Sequence, residues 1–271
     1  MSINLIRSHY GFTKMPFGKD ISPPSLYGST SHLEAVARIG FLVEELAVGV
    51  VTGEVGSGKT VAVRKAMSQL EPSTHSVIYV SNPALGSKGI YSAIVTHLGE
   101  QPCFYKGPLI TQVTALLSKE VLEKRRKVVI VCDEAHLLSG EELEELRFLT
   151  NSEMDSSSSF ALILVGQPSL RVRLKLGTNS ALDQRVSLRY ALTSMAMSET
   201  KEYIYHHVKL AGRTDTLFSD DAISLIHQVS RGLPRSVNNL SRQALIATYA
   251  NQSAVVDEKS VRQAVSEADS E

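Results

Sequence analysis

Apolar positions along the chain switch between two spacings. Residues 31–46 carry them at helical intervals, and short, nearly continuous apolar runs follow at 48–52, 77–81, 128–132, 160–165 and 186–190. Runs of that length, rich in valine and isoleucine, read as strands buried on both faces. Helical stretches lie between them, including one over 61–70. Strand–helix alternation predicts an α/β fold built on a doubly wound, parallel, five-stranded sheet. Past residue 193 only the helical period persists, over 198–212, 219–230, 234–250 and 257–268. This predicts a small α-helical lid domain spanning 194–271 behind a core spanning 31–193. Residues 1–30 come before both and are broken by Gly11, Pro16, Gly18, Pro23 and Pro24, so they read as an extended arm. Its Tyr10, Phe12, Phe17 and Tyr27 require a packing partner.

Composition narrows the partners. The 271 residues hold 28 Lys+Arg against 28 Asp+Glu, so the molecule is not a polycation and any nucleic-acid contact needs a local patch. Cys103 and Cys132 are the only cysteines, which leaves no disulfide framework and no cysteine metal site. No apolar run approaches the length of about 18 residues that a membrane helix needs, and residues 1–12 lack a signal-type segment. The expectation is a cytoplasmic protein with no membrane anchor.

The chemistry begins at Gly53-Glu54-Val55-Gly56-Ser57-Gly58-Lys59-Thr60, a G-x-x-x-x-G-K-T pattern between an apolar run and a helix-compatible stretch that opens with Val61. Glycines there let successive backbone N–H groups curl around a polyphosphate. Lys59 reaches the β- and γ-phosphates, and the Thr60 hydroxyl ligates Mg²⁺ at a helix N-terminus. The run 128–132 ends in Asp133-Glu134. By itself that is a strand end and a turn. Beside a phosphate loop it places Asp133 in the Mg²⁺ shell and Glu134 next to the attacking water. ATP and Mg²⁺ are the expected cofactors, and the reaction class is ATP hydrolysis.

Taken together, these motifs resemble the AAA+ ATPases of the ExeA, TniB and TnsC type. Tyr10-Gly11-Phe12 with Pro16-Phe17 and Leu26-Tyr27 is similar to that family's opening. Residues 143–151, followed by Leu164-Val165-Gly166-Gln167-Pro168, are similar to its most distinctive stretch, and Gly232-Leu233-Pro234-Arg235 with Asn238-Asn239-Leu240 to its lid signature. The resemblance implies further roles. Gln167 takes the polar sensor position that orients water or reports the γ-phosphate, where many relatives carry Asn or Thr. Arg235 is the lid arginine that reaches the phosphates. Arg185 or Arg189, flanking the fifth strand, is the arginine finger that enters a neighbour's site. Asp183-Gln184-Arg185 matches the family run better and favours Arg185.

Two tasks share such a module. One assembles a ring or helical filament of identical subunits on double-stranded DNA and recruits a transposase. The other drives envelope assembly for secretion and continues into a membrane span, which this sequence does not show before Glu271. The expectation follows the first, with the secretion role and an ATP-dependent switch of little turnover as alternatives. The resemblance places DNA contacts between the second and third strands, where Lys88 and Lys106 are the favoured residues, in Gly-containing loops. Residues 124–127 read as a solvated helix end, His206 and His207 as helix surface, and Tyr79 and Tyr91 as core.

Overall fold

Valine, isoleucine and leucine fill the five apolar runs, and each run becomes a strand because both of its faces find apolar cover. The structure is a computed structural model that describes residues 3–81, 86–150 and 158–268. Asn151, at the end of one family-like stretch, lies outside the described residues. The strands are β1 (Val48–Gly53), β2 (His75–Val80), β3 (Lys127–Cys132), β4 (Phe160–Gly166) and β5 (Val186–Leu192). They form one parallel sheet in the order β2-β3-β4-β1-β5.

Alternation along the strands sorts side chains by face. Ile78, Ile130, Cys132, Leu162 and Leu164 pack with α4 (Gly86–His97), α5 (Lys106–Leu122), α6 (Gly140–Leu149), α7 (Ser169–Leu174) and α8 (Ser180–Arg185). Val129, Val131, Ala161, Ile163 and Val165 pack with α2 (Thr30–Glu44) and α3 (Lys59–Met67). Each such fully buried side chain contributes about 1.5–3 kcal/mol of transfer free energy. The parity fixes the chemistry: residue 133 continues the 129, 131 series and so faces the α3 side.

The chain divides into two compact units. The α/β unit comprises His32–Val55 and Lys59–Leu192, and the second comprises Met1–Ser31, Gly56–Gly58 and Thr193–Glu271. The second unit is built from α1 (Ile3–Tyr10), α9 (Met197–Leu210), α10 (Asp220–Ser230), α11 (Pro234–Ala250) and α12 (Glu258–Ala268). Residues 1–31 are therefore part of this helical unit, and they are not simply extended, since α1 is an amphipathic helix burying Ile6 and Tyr10. Tyr10 Oη donates to the Leu245 carbonyl at 2.9 Å, and Phe17 stacks on His207 with centroids 5.1 Å apart. The arm's Tyr10, Phe12 and Phe17 thus join the core of the helical unit. His207 is correspondingly buried, not a surface residue, and its Nδ1 accepts the Phe17 N–H at 3.2 Å.

Candidate nucleotide site

Local backbone geometry explains the glycines of the phosphate loop. Gly56 and Gly58 sit at φ +83° and +94°, a region that L-residues with a side chain enter only with strain. α3 starts at Lys59, so its unsatisfied N-terminal N–H groups open onto this loop. The Lys59 ammonium is largely buried and donates to the carbonyls of Gly53 and Glu54, both at 2.9 Å.

The second motif reaches the same place from β3. Asp133 follows the strand by one residue, with its N–H bound to the Val80 carbonyl at 3.0 Å. Its carboxylate is buried and accepts three hydrogen bonds. Thr60 Oγ1 donates to Oδ2 at 2.7 Å, Tyr79 Oη donates to Oδ2 at 2.6 Å, and the Glu134 N–H donates to Oδ1 at 2.9 Å. The structure therefore brings Thr60, at the start of α3, to Asp133, at the end of β3. Tyr79 was expected in the core and is not there: its ring is 45% exposed and its hydroxyl is spent on Asp133. Partial burial, then the hydrogen bond and charge of Asp133, push that phenol well above the ordinary tyrosine range, so it stays a donor. Tyr91, by contrast, is buried.

Glu134 adopts a left-handed backbone, φ 54° and ψ 32°, which turns its carboxylate out of the sheet edge and leaves it about half exposed. A single 3₁₀ turn, Ala135–Leu137, leads into α6, whose start is fixed by a capping box. There Ser139 Oγ accepts the Glu142 N–H at 3.3 Å and Glu142 Oε2 accepts the Ser139 N–H at 2.6 Å, a motif worth about 1 kcal/mol. His136 Nδ1 lies 3.3 Å from Glu134 Oε2 and 3.5 Å from the backbone N of Gln167. The ring nitrogen serves one partner at a time: unprotonated it accepts from Gln167, and protonated it donates to Glu134. Gln167 directly follows β4, next to β3 in the sheet, so it shares the carboxyl edge with Asp133 and Glu134.

The three expected arginines lie on three different elements. Arg185 ends α8 and donates to Thr150 Oγ1 at 2.9 Å. Arg189 lies in β5 and is held by Asp183, with an ion pair at 2.9 Å and a further bond to the Val186 carbonyl at 3.2 Å. Arg235 is on the exposed first turn of α11, in the helical unit, and its N–H donates to the Gly56 carbonyl at 3.2 Å. A Cβ at Gly56 would come within 2.8 Å of the Arg235 Cβ, a second reason for glycine there.

Lys88 and Lys106 are not in loops. Lys88 lies in the first turn of α4, with its ammonium 4.4 Å from the ring centroid of the exposed Phe104. Lys106 begins α5 and is ion-paired with Glu145. Glycine at 86, 89 and 107 suggested loops, but helix N-termini tolerate it. Residues 124–127 are also not a plain solvated end: Lys124 pairs with Glu120, and Lys127 enters β3 and pairs with Glu44 at 2.5 Å.

Comparison with known proteins agrees with this geometry. Residues 44–174 match the family described as "AAA domain". Over 249 residues the chain is 32% identical to general secretion pathway protein A of Aeromonas hydrophila, which is 90% of this chain and 45% of that protein. The chain belongs to the AAA+ ATPases. It spans about half the length of the curated relative it matches. Among solved structures, Cdc6p of Pyrobaculum aerophilum superposes with a TM-score of 0.72 at 16% identity, over 93% of this chain and 70% of that one. The ORC1 protein of Aeropyrum pernix, solved in complex with DNA, gives a TM-score of 0.68 at 16% identity, over 93% and 68%. These likenesses carry the AAA+ fold. The motif-based kinship with the ExeA branch is supported by the curated relative.

Nucleotide and Mg²⁺ are implied by the family, and the residues fit them. Ser57 Oγ is buried without a hydrogen-bond partner, and a Cβ built on Gly58 meets nothing within 4 Å, as a cradle for phosphate oxygens requires. Thr60 and Asp133 present hard oxygen donors. Among the described residues no group of three or more His, Cys, Asp or Glu is placed to hold a metal. When bound, Mg²⁺ neutralises charge on the β- and γ-phosphates. The groups this chain would offer them are the loop N–H groups, the Lys59 ammonium and the Thr60 hydroxyl bonded to Asp133, with the half-exposed Glu134 carboxylate one residue on.

Proposed function

We propose that this protein is a Mg²⁺-dependent ATP hydrolase that works as a homo-oligomer in the cytoplasm. The observation that carries the reading is the Thr60–Asp133 hydrogen bond with Glu134 turned out beside it, the arrangement of a site that holds a cation and activates water. Gln167 orients that water or senses the γ-phosphate. Arg235 contacts the phosphates within a subunit, and Arg185 supplies the finger to the neighbouring subunit's site, in a ring or helical filament.

The ATP-loaded oligomer assembles on double-stranded DNA and recruits or licenses a transposase. Support comes from the fold shared with an ORC1 protein solved in complex with DNA and from the exposed Lys88. Contacts of this kind pair with phosphates and ignore sequence, so affinity falls with salt at a log–log slope of about −0.9 per phosphate neutralised. Lys88→Ala flattens that slope on all duplexes alike, whereas Lys106→Ala has less effect because Glu145 already holds that ammonium. The test is a salt titration of duplex binding by the ATP-loaded protein, paired with electron microscopy with and without DNA. A second reading, an assembly ATPase for secretion, is favoured by the 32% identity to general secretion pathway protein A. Absence of duplex binding at low salt, with ATP turnover intact, selects that second reading.

A further inference from the structure

Strand register brings a residue of β2 to the carboxylate on β3. Tyr79 pairs with Val131 and Val80 with Cys132, so Tyr79 and residue 133 share a face and are diagonal neighbours, within reach of an aromatic side chain. The phenol uses that reach to place its hydroxyl on Asp133 Oδ2, the same oxygen that accepts from Thr60. Oδ1 is fixed separately by the Glu134 N–H. All three donors come from different segments, and together they fix the rotation of one buried carboxylate. Tyr79 is on an edge strand and is half open to solvent, so packing alone does not explain an aromatic residue there.

We infer that Tyr79 is a positioning residue for magnesium, holding Asp133 in the orientation that presents the Thr60 hydroxyl to the cation. The inference rests on the nucleotide-site reading above. If Thr60 Oγ1 ligates the metal, its proton still points at Asp133 Oδ2, and among the described residues the Tyr79 hydroxyl is the second side-chain donor to that oxygen. Removing it frees the carboxylate to rotate and lets Thr60 lose its alignment. Partners that orient metal-site groups in this way change metal affinity by about 10–100-fold.

The test titrates MgCl₂ into the full chain with a fluorescent ATP analogue and compares wild type with Tyr79→Phe, which keeps the ring. The expected result is about a tenfold rise in the Mg²⁺ concentration for half-maximal tightening of nucleotide binding, with affinity in EDTA and the thermal midpoint unchanged. A merely structural role would lower the thermal midpoint and weaken binding with and without the metal. On an Asp133→Asn background, Tyr79→Phe should add nothing, because its action passes through the carboxylate. An unchanged Mg²⁺ requirement in Tyr79→Phe, or an equal additional loss on the Asp133→Asn background, overturns the inference. If wild type binds no nucleotide in Mg²⁺, the site reading itself has failed.

Discussion

At the scale of single residues, the proposed site separates holding from hydrolysing. Lys59 is buried and donates to the phosphate-loop carbonyls of Gly53 and Glu54. The Glu134 carboxylate lies by His136. Lys59→Ala is therefore expected to abolish ATP binding, measured by equilibrium titration. Glu134→Gln should bind ATP normally and lose about 10²-fold or more in turnover, because only the proton acceptor has gone. Equal loss of affinity in both variants would refute this division. His207 gives a prediction of another kind. Burial, then the nearby charges of His206 and Lys14, lower its pKa from 6.5 to about 4. Since the folded value lies below the unfolded one, the unfolded chain takes up the proton first. Stability of the helical unit is fully present above about pH 6.5 and falls as the pH drops towards about 4, by up to about 3 kcal/mol from this group. Denaturant unfolding across that window checks it: wild type should lose stability there, and His207→Gln should show a flatter profile.

At the scale of elements, the lid signature follows from one turn. α10 ends on Arg231 at φ 52°, Gly232 follows at φ 70°, and Pro234 opens α11 with the fixed φ a first helical position suits. The Gly232 carbonyl accepts the Met195 N–H at 3.0 Å, and a Cβ at 232 would fall 2.2 Å from the Met195 carbonyl oxygen. Gly232→Ala meets backbone, not a yielding side chain, and should destabilise the helical unit by about 2–3 kcal/mol, read as a lower unfolding midpoint. Elements with strong periodicity were legible in the sequence: all five strands fall where the apolar runs place them, within about two residues. So did Asp133, because a strand end plus alternation fixes both its position and its face. The arm was misread because glycines and prolines outvoted the short amphipathic pattern of α1. His207 was misread because its cover comes from Phe17, 190 residues away, which no local pattern records. Tyr79 was missed for a related reason, since its role depends on the β2–β3 register, and register is not written in either strand alone.

At the scale of the whole molecule, the proposed arginine finger would make activity a property of the assembly. Arg185 stands at the end of α8, bonded to Thr150. Arg185→Ala should bind ATP as wild type does yet lose about 10³-fold or more in turnover, in line with the worth of arginine fingers in related chemistry. Mixing it with Lys59→Ala protein should restore part of the activity, since one subunit brings the finger and the other the intact pocket. If mixing restores nothing and Arg189→Ala shows the loss instead, the finger is Arg189, and its pairing with Asp183 must break on assembly.

Glu134 carries one last consequence. A glutamate at φ 54° sits about 1 kcal/mol or more above what glycine or asparagine would pay in the same turn. A population screened only for solubility and heat resistance would drift towards those smaller residues at position 134, and would become better folded as it fell silent. Growth that depends on turnover would pull the glutamate back. The backbone angle at one residue thus marks where durability and work are in competition.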